Sequence, residues 1–375
     1  MKVVVIGAGV FGASTAYHLA LAGAELVIVD AAYEGRATAA GAGIISPWSS
    51  RNEDSDFYRL SSGGGRLYPR LLEQLAEDGE ADTGYRKVGA LSVTADPGEL
   101  RFMERLIRER QAPEAGEISV LSPAEARTLF PPLRGDLSAV HLTGAARVDG
   151  RRLAPALLRA AERHGAVRRE GVASLVVERD RARGVRIGAE TIDADAVVVA
   201  AGAWAPDLLR RLGIALAVEP QRGQIVHLHL PGHDTRQWPV VLPPGSHYLL
   251  AFDDSRVVAG ATREGGTGFD YRVTAAGQAE VLAEALGVAP GLGAATIVET
   301  RVGFRPVGRG VRPLLGSVGG LGLLIGNGLG AAGLTIGPLA GRLLADMALG
   351  REPPLDLAPF DPLRQARGGP PIALR

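Results

Sequence analysis

Short β-branched runs and one apolar-periodic segment alternate at the start of the chain. Lys2 to Ile6 and Glu25 to Val29 have the composition of strands, and Phe11 to Leu21 between them has the periodicity of a helix. The pattern therefore predicts a βαβ unit in the first thirty residues.

The remaining segments follow one of two periodicities. Helices are predicted where apolar residues recur every three to four positions, at 67–77, 101–110, 151–164, 275–286 and 338–348. Strands are predicted where β-branched runs or alternating patterns occur, at 89–94, 139–142, 224–230, 247–252, 256–262, 295–304 and 322–327, with three short runs between 165 and 201. The Pro-rich sequence after Pro353 predicts an irregular tail.

The order of these elements predicts an α/β protein, α+β overall, with two domains. A Rossmann-like nucleotide-binding domain, discontinuous in sequence, is predicted over residues 1–85, 146–215 and 305–375. A second domain, with a mainly antiparallel sheet that binds the substrate, is predicted over residues 86–145 and 216–304.

The composition of the chain argues against several kinds of binding site and catalytic group. The 41 basic and 41 acidic residues balance, so no broad basic surface for nucleic acid is expected. The chain has no Cys, which excludes disulfides, a thiolate nucleophile, a zinc-thiolate site and a thioether-linked flavin. We predict no metal site. Lys2 and Lys87 are the only lysines, and neither is placed for Schiff-base catalysis.

One uncharged stretch calls for a membrane test. Residues 313–341 carry no formal charge, but repeated glycines and Pro338 divide the stretch into a strand, a loop and a helix start. We therefore predict no integral membrane segment. The N-terminus enters a strand directly, without the pattern of a signal peptide, and a cytoplasmic location is expected.

The sequence GAGVFG lies between the first strand and the first helix. Gly7 permits a tight turn, Gly9 lets the backbone approach a pyrophosphate, and Gly12 allows the helix to pack on the strand. Asp30, at the end of the second strand, would bind the adenosine ribose and disfavours NADP. The alternative is that GAGVFG forms an ordinary tight turn between a strand and a helix and binds no dinucleotide. Because the nucleotide domain is interrupted and then resumes, FAD is favoured over NAD.

The later motifs resemble the D-amino-acid oxidase and glycine oxidase superfamily over nearly the whole chain. The motifs, in the family's order, are ATAAGAGIISPW, VDGRRLAPALLRAAERHGA, DAVVVAAGAW, EPQRGQI, HYLLAF, VVAGATREGGTGFD, VGFRP and GNGLGAAGLTIGP. The resemblance implies a non-covalent FAD, held by Gly7, Gly9, Val10, Phe11, Gly12, Asp30, Arg36, Thr38, Gly43, Ile44, Val172, Ala201, Gly202, Trp204, Gly328, Gly330, Ala331, Gly333, Leu334 and Thr335. A helix start at the last of these would stabilise negative charge on the reduced flavin.

The strand TIVETRVGFRP places Glu299, Arg301 and Arg305 on one face, because side chains alternate along a strand. Arg305, in the family-like GFRP, is predicted to bind a substrate carboxylate, since guanidinium matches carboxylate geometry. A salt bridge to Glu299 or a solvated side chain is the alternative. For Arg301 we prefer the structural role, a salt bridge or a solvated side chain, over substrate binding. The family that the sequence resembles often has Trp at this position.

Tyr248 matches the position at which glycine oxidases place a tyrosine over the substrate, although a tyrosine also packs well in any strand. His247 is expected on the opposite face. The family's acidic turn after the RP motif is replaced by VGRGVRP, which leaves the contacts of the substrate lid open.

The resemblance implies oxidative deamination of a small amino acid, either a D-amino acid or glycine. A hydride would pass from Cα to flavin N5, and the imino acid would hydrolyse to a keto acid and ammonia. O2 or a quinone would reoxidise the flavin, and an oligomer is possible. A sarcosine-oxidase interpretation is weakened by the absence of Cys and of a suitable Lys. A non-catalytic or electron-transfer FAD protein and an NAD-dependent hydroxy-acid dehydrogenase are the alternatives.

Overall fold

A computed structural model describes residues 1–110, 112–179 and 181–363. Within these ranges the strands are β1 Lys2–Ile6, β2 Glu25–Asp30, β3 Ile44–Ile45, β4 Arg86–Lys87, β5 Ala90–Thr94, β6 Ile118–Leu121, β7 Ser138–Leu142, β8 Ala146–Arg147, β9 Val167–Glu170, β10 Ala173–Glu178, β11 Arg181–Ile187, β12 Glu190–Asp193, β13 Ala196–Val199, β14 Val218–His229, β15 Val240–Leu242, β16 Tyr248–Ala251, β17 Arg256–Gly260, β18 Thr296–Gly308, β19 Leu314–Ser317 and β20 Leu323–Asn327. The α-helices are α1 Val10–Leu21, α2 Ala37–Ala40, α3 Ser55–Glu77, α4 Pro97–Glu109, α5 Pro123–Leu129, α6 Gly150–Arg163, α7 Ala205–Arg210, α8 Ala275–Val288 and α9 Gly333–Ala348.

The first sheet carries the N-terminal βαβ unit. Its strand order is β19-β20-β13-β1-β2-β9, with β1 parallel to both β13 and β2 and only the edge strand β19 antiparallel to its neighbour. Strand β1 is a continuous apolar run because both faces of the sheet are covered. Val3 and Val5 pack in one core with helices α1, α3, α6 and α9, whereas Val4 and Ile6 pack in another with the three-stranded sheet β10-β11-β12.

The second large sheet has the order β18-β14-β17-β16-β15-β5-β7-β6. All its neighbours are antiparallel except β15 and β5, which are parallel. Helix α8 packs on one face through Val281 and Ala285. Strands β14 and β18 pair over nearly their full lengths and form one end of this sheet.

The predicted class, with a Rossmann-like FAD-binding domain and a mainly antiparallel second sheet, is confirmed by the mixed sheets and by the solved structures described below. The prediction of three strand runs between 165 and 201 is wrong, since five strands, β9 to β13, lie there. Strands β10 to β12 form a three-stranded antiparallel sheet of their own. Helix α9 begins at Gly333, five residues before the predicted start, so Pro338 lies inside the helix. Proline has no N–H to donate to the carbonyl of Leu334, four residues earlier, and the Tyr68 hydroxyl donates to that carbonyl instead.

The predicted domain boundaries stay a prediction. The boundary between 304 and 305 falls inside β18, which continues to Gly308. Residues 364–375, the end of the last predicted segment and of the predicted tail, lie outside the described residues. Among the helices that the structure describes, none is long and apolar enough to cross a membrane.

Candidate functional site

A cavity of about 1030 Å³ lies between the two large sheets. One part is lined by the β1–α1 turn, the end of β2, the loop after β13 and the start of α9, and another part by β14, β16 and β18. Apart from Gly12, every residue predicted for the cofactor, together with Tyr248 and Arg305, lines this cavity. The sequence motifs are therefore brought together at one place.

Backbone packing shapes the β1–α1 turn. Gly7 has φ +108°, a conformation that residues with a side chain rarely adopt, and a Cβ there would overlap the carbonyl oxygen of Ala200. A Cβ on Gly12 would overlap the carbonyl oxygen of Gly7. Gly12 thus has the packing position expected of it, away from the cavity wall, and the glycine pair lets α1 start directly against β1.

Asp30 ends β2 and faces the same turn. Its carboxylate accepts hydrogen bonds from the backbone N–H of Ala8 at 2.6 Å and of Ala32 at 2.7 Å. The Nη1 atom of Arg36 lies 3.4 Å from it. These contacts fix the carboxylate at the edge of the cavity, where a ribose hydroxyl could donate to its remaining lone pairs.

Two contacts link the loop after β2 to other parts of the site. The Thr38 hydroxyl accepts a hydrogen bond from the N–H of Val10 at 3.0 Å, at the first residue of α1. Gly35 accepts a hydrogen bond from the N–H of Phe304 at 2.8 Å, which ties this loop to β18 of the other sheet. The segment after β2, which includes α2, therefore contacts both the first residue of α1 and strand β18.

Two side-chain hydrogen bonds hold the first turn of α9 in place. The Tyr68 hydroxyl donates to the carbonyl of Leu334 at 2.5 Å, and Thr335 donates to the carbonyl of Ile44 at 3.0 Å. The preceding residues Gly328 and Gly330 line the cavity, so the free N–H groups of the first turn are presented to it. A helix start of this kind favours a partial negative charge.

The remaining residues predicted to bind the cofactor lie beside β10 and after β13. Val172 is exposed beside β10, and Ala201, Gly202 and Trp204 form the turn after β13. The indole of Trp204 stacks on Tyr33, with ring centroids 5.2 Å apart, and on Phe269 at 4.9 Å. The glycine cradle, the fixed carboxylate and the helix start suit a dinucleotide that carries a flavin. The residues present therefore fit FAD.

Arg305 lies in the part of the cavity that β14, β16 and β18 line, where the sequence predicted the substrate. Its guanidinium lies across Gly223, where a Cβ would come within 2.5 Å of Nη1. It donates to the carbonyl of Thr262 at 3.0 Å, and the Gln221 side chain lies 3.5 Å away. Burial lowers the pKa of Arg305, and the neighbouring Tyr248 opposes this shift. No carboxylate within the described ranges forms an ion pair with it.

Tyr248 stands beside this guanidinium. Its hydroxyl lies over Gly260, where a Cβ would approach within 2.5 Å of the oxygen. Burial raises the pKa of Tyr248, while Arg305 and Arg263 act against the shift. The neighbouring His247 has its Nε2 3.3 Å from a carboxylate oxygen of Glu280 on α8, so it faces away from the cavity as expected.

Arg301 has the structural role that the sequence favoured. Its Nε and Nη2 atoms lie 2.7 and 2.5 Å from the same oxygen of Glu299. Glu299 is therefore satisfied by Arg301 and does not reach Arg305. The alternation along β18 holds, but the two arginines have different partners.

The sequence interpretation did not single out Arg263. It lines the cavity and influences both Tyr248 and Arg305. It lies inside the motif VVAGATREGGTGFD, and the only available signal was a charged residue between two positions that could pair with β14. Among the residues described, no group of three His, Asp or Glu side chains could hold a metal ion.

Comparisons with known proteins agree with this geometry. The model of the DAO family, FAD-dependent oxidoreductases, matches residues 2–347. The Bacillus subtilis protein named uncharacterized oxidoreductase YurR is 50% identical over 96% of this chain and 98% of its own length. Glycine oxidase of Pseudomonas putida is 32% identical over 96% of this chain and 98% of its own length.

Solved structures show the same similarity. Iminodiacetate oxidase from Chelativorans sp. BNC1 superposes with a TM-score of 0.94 at 52% identity, covering 96% of this chain and 98% of that one. The closeness in both sequence and backbone extends over both large sheets.

Proposed function

Because the chain belongs to the DAO family of FAD-dependent oxidoreductases, we propose that it oxidises the C–N bond of a small amino acid whose carboxylate is bound by Arg305. One observation carries the proposal. A half-buried guanidinium without a carboxylate partner among the described residues lines the same cavity as the predicted dinucleotide cradle. A half-buried guanidinium with no carboxylate beside it favours an anionic ligand.

The chemistry that FAD supplies when bound is acceptance of a hydride from the carbon beside the nitrogen, after which water hydrolyses the imine to a carbonyl compound and an amine or ammonia. Arg305 would fix the carboxylate by two parallel hydrogen bonds. Burial keeps Tyr248 protonated at neutral pH, so its hydroxyl would donate to the same carboxylate. Orientation by these two residues would supply much of the rate enhancement.

Family membership decides between the alternatives from the sequence. An NAD-dependent hydroxy-acid dehydrogenase is excluded, because the family uses FAD. A non-catalytic flavoprotein is disfavoured as well, since the similar proteins include glycine oxidase and iminodiacetate oxidase, which act on C–N donors.

Two substrate classes have support. The similarity to glycine oxidases favours glycine or a D-amino acid, which would give a keto acid and ammonia. The greater similarity to iminodiacetate oxidase favours an N-carboxymethyl amine, which would give glyoxylate and the remaining amine, glycine in the case of iminodiacetate. Both share the amine next to a carboxylate that Arg305 would bind.

The electron acceptor in this proposal is O2 or a quinone, and the compartment is the cytoplasm. Lys2 pairs with Glu25 at 3.2 Å on β1, and Lys87 lies on β4. Neither lysine lines the cavity, so oxygen activation by a lysine beside the flavin has no residue to perform it.

An anaerobic panel tests the proposal. Purified protein loaded with FAD is mixed with glycine, sarcosine, D-alanine, D-proline, iminodiacetate and a 2-hydroxy acid, and bleaching of the flavin absorbance is followed. We expect bleaching by at least one amine and none by the hydroxy acid. An oxidised spectrum with every amine would contradict the proposal. Oxygen uptake with the active amine then separates O2 from a quinone as the acceptor.

A further inference from the structure

Arg263 is directed into the cavity by the pairing of its neighbours. Glu264 forms a bridge with Arg222 of β14, and the two residues exchange backbone hydrogen bonds of 2.9 Å. Because alternate residues of an extended segment face opposite sides, Arg263 lies on the side away from Glu264. Gln221 and Arg305, which pair across β14 and β18, line the cavity on that same side.

The residues on both sides of Arg263 are firmly held. The Glu264 carboxylate accepts from Arg222 at 2.6 Å and from Gln224 at 2.7 Å. The Thr262 hydroxyl donates to the same carboxylate at 2.7 Å and accepts from the N–H of Gln224 at 2.9 Å. Gln224 is fully buried, and Arg222 nearly so. The backbone at Arg263 is thus fixed at a site whose own side chain has no ion-pair partner within the described part of the chain.

Arg263 and Arg305 are linked through one residue. Arg305 donates to the carbonyl of Thr262, the residue just before Arg263. The positive charge of Arg263 adds to burial in lowering the pKa of Arg305, which indicates that the two guanidiniums influence each other. The charged residues that line this part of the cavity are these two arginines, and the lining acids Asp30 and Asp207 lie on β2 and α7, beside the predicted cofactor cradle.

Charge balance then distinguishes substrates. A zwitterionic monocarboxylate provides a carboxylate for Arg305 and leaves the exposed guanidinium of Arg263 without one. A secondary amine with two carboxylate arms supplies one carboxylate for each guanidinium, with the nitrogen between them. The second class matches the charges of the cavity.

We propose that Arg263 binds a second carboxylate, and that the substrate is therefore a small amine with two carboxylate arms; this assignment rests on the carboxylate-binding role of Arg305 in the proposed function. Arg305 anchors the arm that is oxidised, and Arg263 binds the arm that leaves with the amine. Glu264, Thr262 and Gln224 are positioning residues, since they hold the backbone at Arg263, and the carbonyl of Thr262 also accepts a hydrogen bond from Arg305.

A pair of unreactive ligands tests the assignment without turnover. Diglycolate has the two arms of iminodiacetate with an ether oxygen in place of the nitrogen, and methoxyacetate has one arm. Binding to FAD-loaded protein is measured by perturbation of the flavin spectrum. We expect the unaltered protein to bind diglycolate about tenfold or more tightly than methoxyacetate, as for one additional charge-assisted pair.

Variants at Arg263 test whether this residue causes the difference in affinity between diglycolate and methoxyacetate. Arg263→Gln should lower the affinity for diglycolate much more than the affinity for methoxyacetate, so the preference for diglycolate is lost, and Arg263→Lys should restore part of that preference. Arg272→Gln is the matched control, because Arg272 lies in the same loop, is strongly exposed and pairs with Asp270. It should keep the full preference.

The outcomes separate this assignment from the proposed function. Equal affinity of the unaltered protein for both ligands, or an undiminished preference in Arg263→Gln, overturns the role of Arg263 even if amines bleach the flavin. A preference for diglycolate that depends on Arg263 supports the role even if every amine in the panel fails. In turnover, kcat/KM for iminodiacetate should fall in Arg263→Gln by a larger factor than kcat/KM for sarcosine.

Discussion

The predicted cofactor cradle is formed mainly by backbone, whereas the predicted substrate part of the cavity, lined by β14, β16 and β18, is formed by side chains. The cradle uses the backbone of short continuous segments, in which Gly7 and Gly12 remove side chains and Asp30 is fixed by backbone N–H groups. The substrate part uses the side chains of Tyr248, Arg263 and Arg305, which come from separate segments. A backbone cradle tolerates few substitutions, whereas a site made of side chains can change its ligand by single replacements.

The largest effect should come from breaking the cradle. Gly12→Val would drive a side chain into the carbonyl of Gly7, and overpacking against rigid backbone is strongly destabilising. We expect purified protein without flavin absorbance, measured as the ratio of flavin to protein absorbance. Gly287→Val on α8, where a Cβ would meet open space, is the control and should retain FAD. Normal FAD content in Gly12→Val would mean that α1 does not need this close packing.

Replacing the carboxylate anchor should have the next largest effect. Arg305→Leu removes a bidentate, charge-assisted interaction, so kcat/KM for the active amine should fall about a hundredfold or more. FAD content should not change, because no cradle contact involves the guanidinium. Arg305→Lys should recover only part of the activity. Unaffected turnover in Arg305→Leu would show that the carboxylate is bound elsewhere.

The smallest effect concerns the support of Arg263. Burial disfavours ionisation of Glu264, but hydrogen bonds from Arg222, Gln224 and Thr262 outweigh it and hold its pKa below the ordinary value. A lowered pKa stabilises the folded protein at pH above about 4.3, the ordinary pKa of Glu, and this contribution is lost as pH falls through the folded-state pKa. Glu264→Gln should therefore lower the free energy of unfolding by about 1–2 kcal/mol at pH 7.

That difference should shrink in acid. Urea unfolding of the FAD-loaded proteins at pH 7 and near pH 4 measures it, with Glu284→Gln, an exposed position on α8, as the control. A deficit of Glu264→Gln that is equal at both pH values would show that the carboxylate charge does not stabilise this loop.

The same contrast explains how far the sequence could be interpreted. The cradle is local, so the spacing of Gly7, Gly9 and Gly12 and the position of Asp30 were sufficient to predict its place. The pairing of Gln221 with Arg305 and of Arg222 with Glu264 joins residues that are far apart in sequence, and no periodicity reveals such a register. Arg263 was missed for that reason. Arg305 and Tyr248 were predicted only because family-like motifs surround them, and their roles stay a prediction.

The hydrogen bond between Phe304 and Gly35 joins the residue before Arg305, the proposed carboxylate anchor, to the loop that follows β2. A backbone shift at either residue would therefore be transmitted to the other. We infer that the distance between a carboxylate on Arg305 and a nucleotide beside β2 depends on this hydrogen bond and on the peptide link between Phe304 and Arg305.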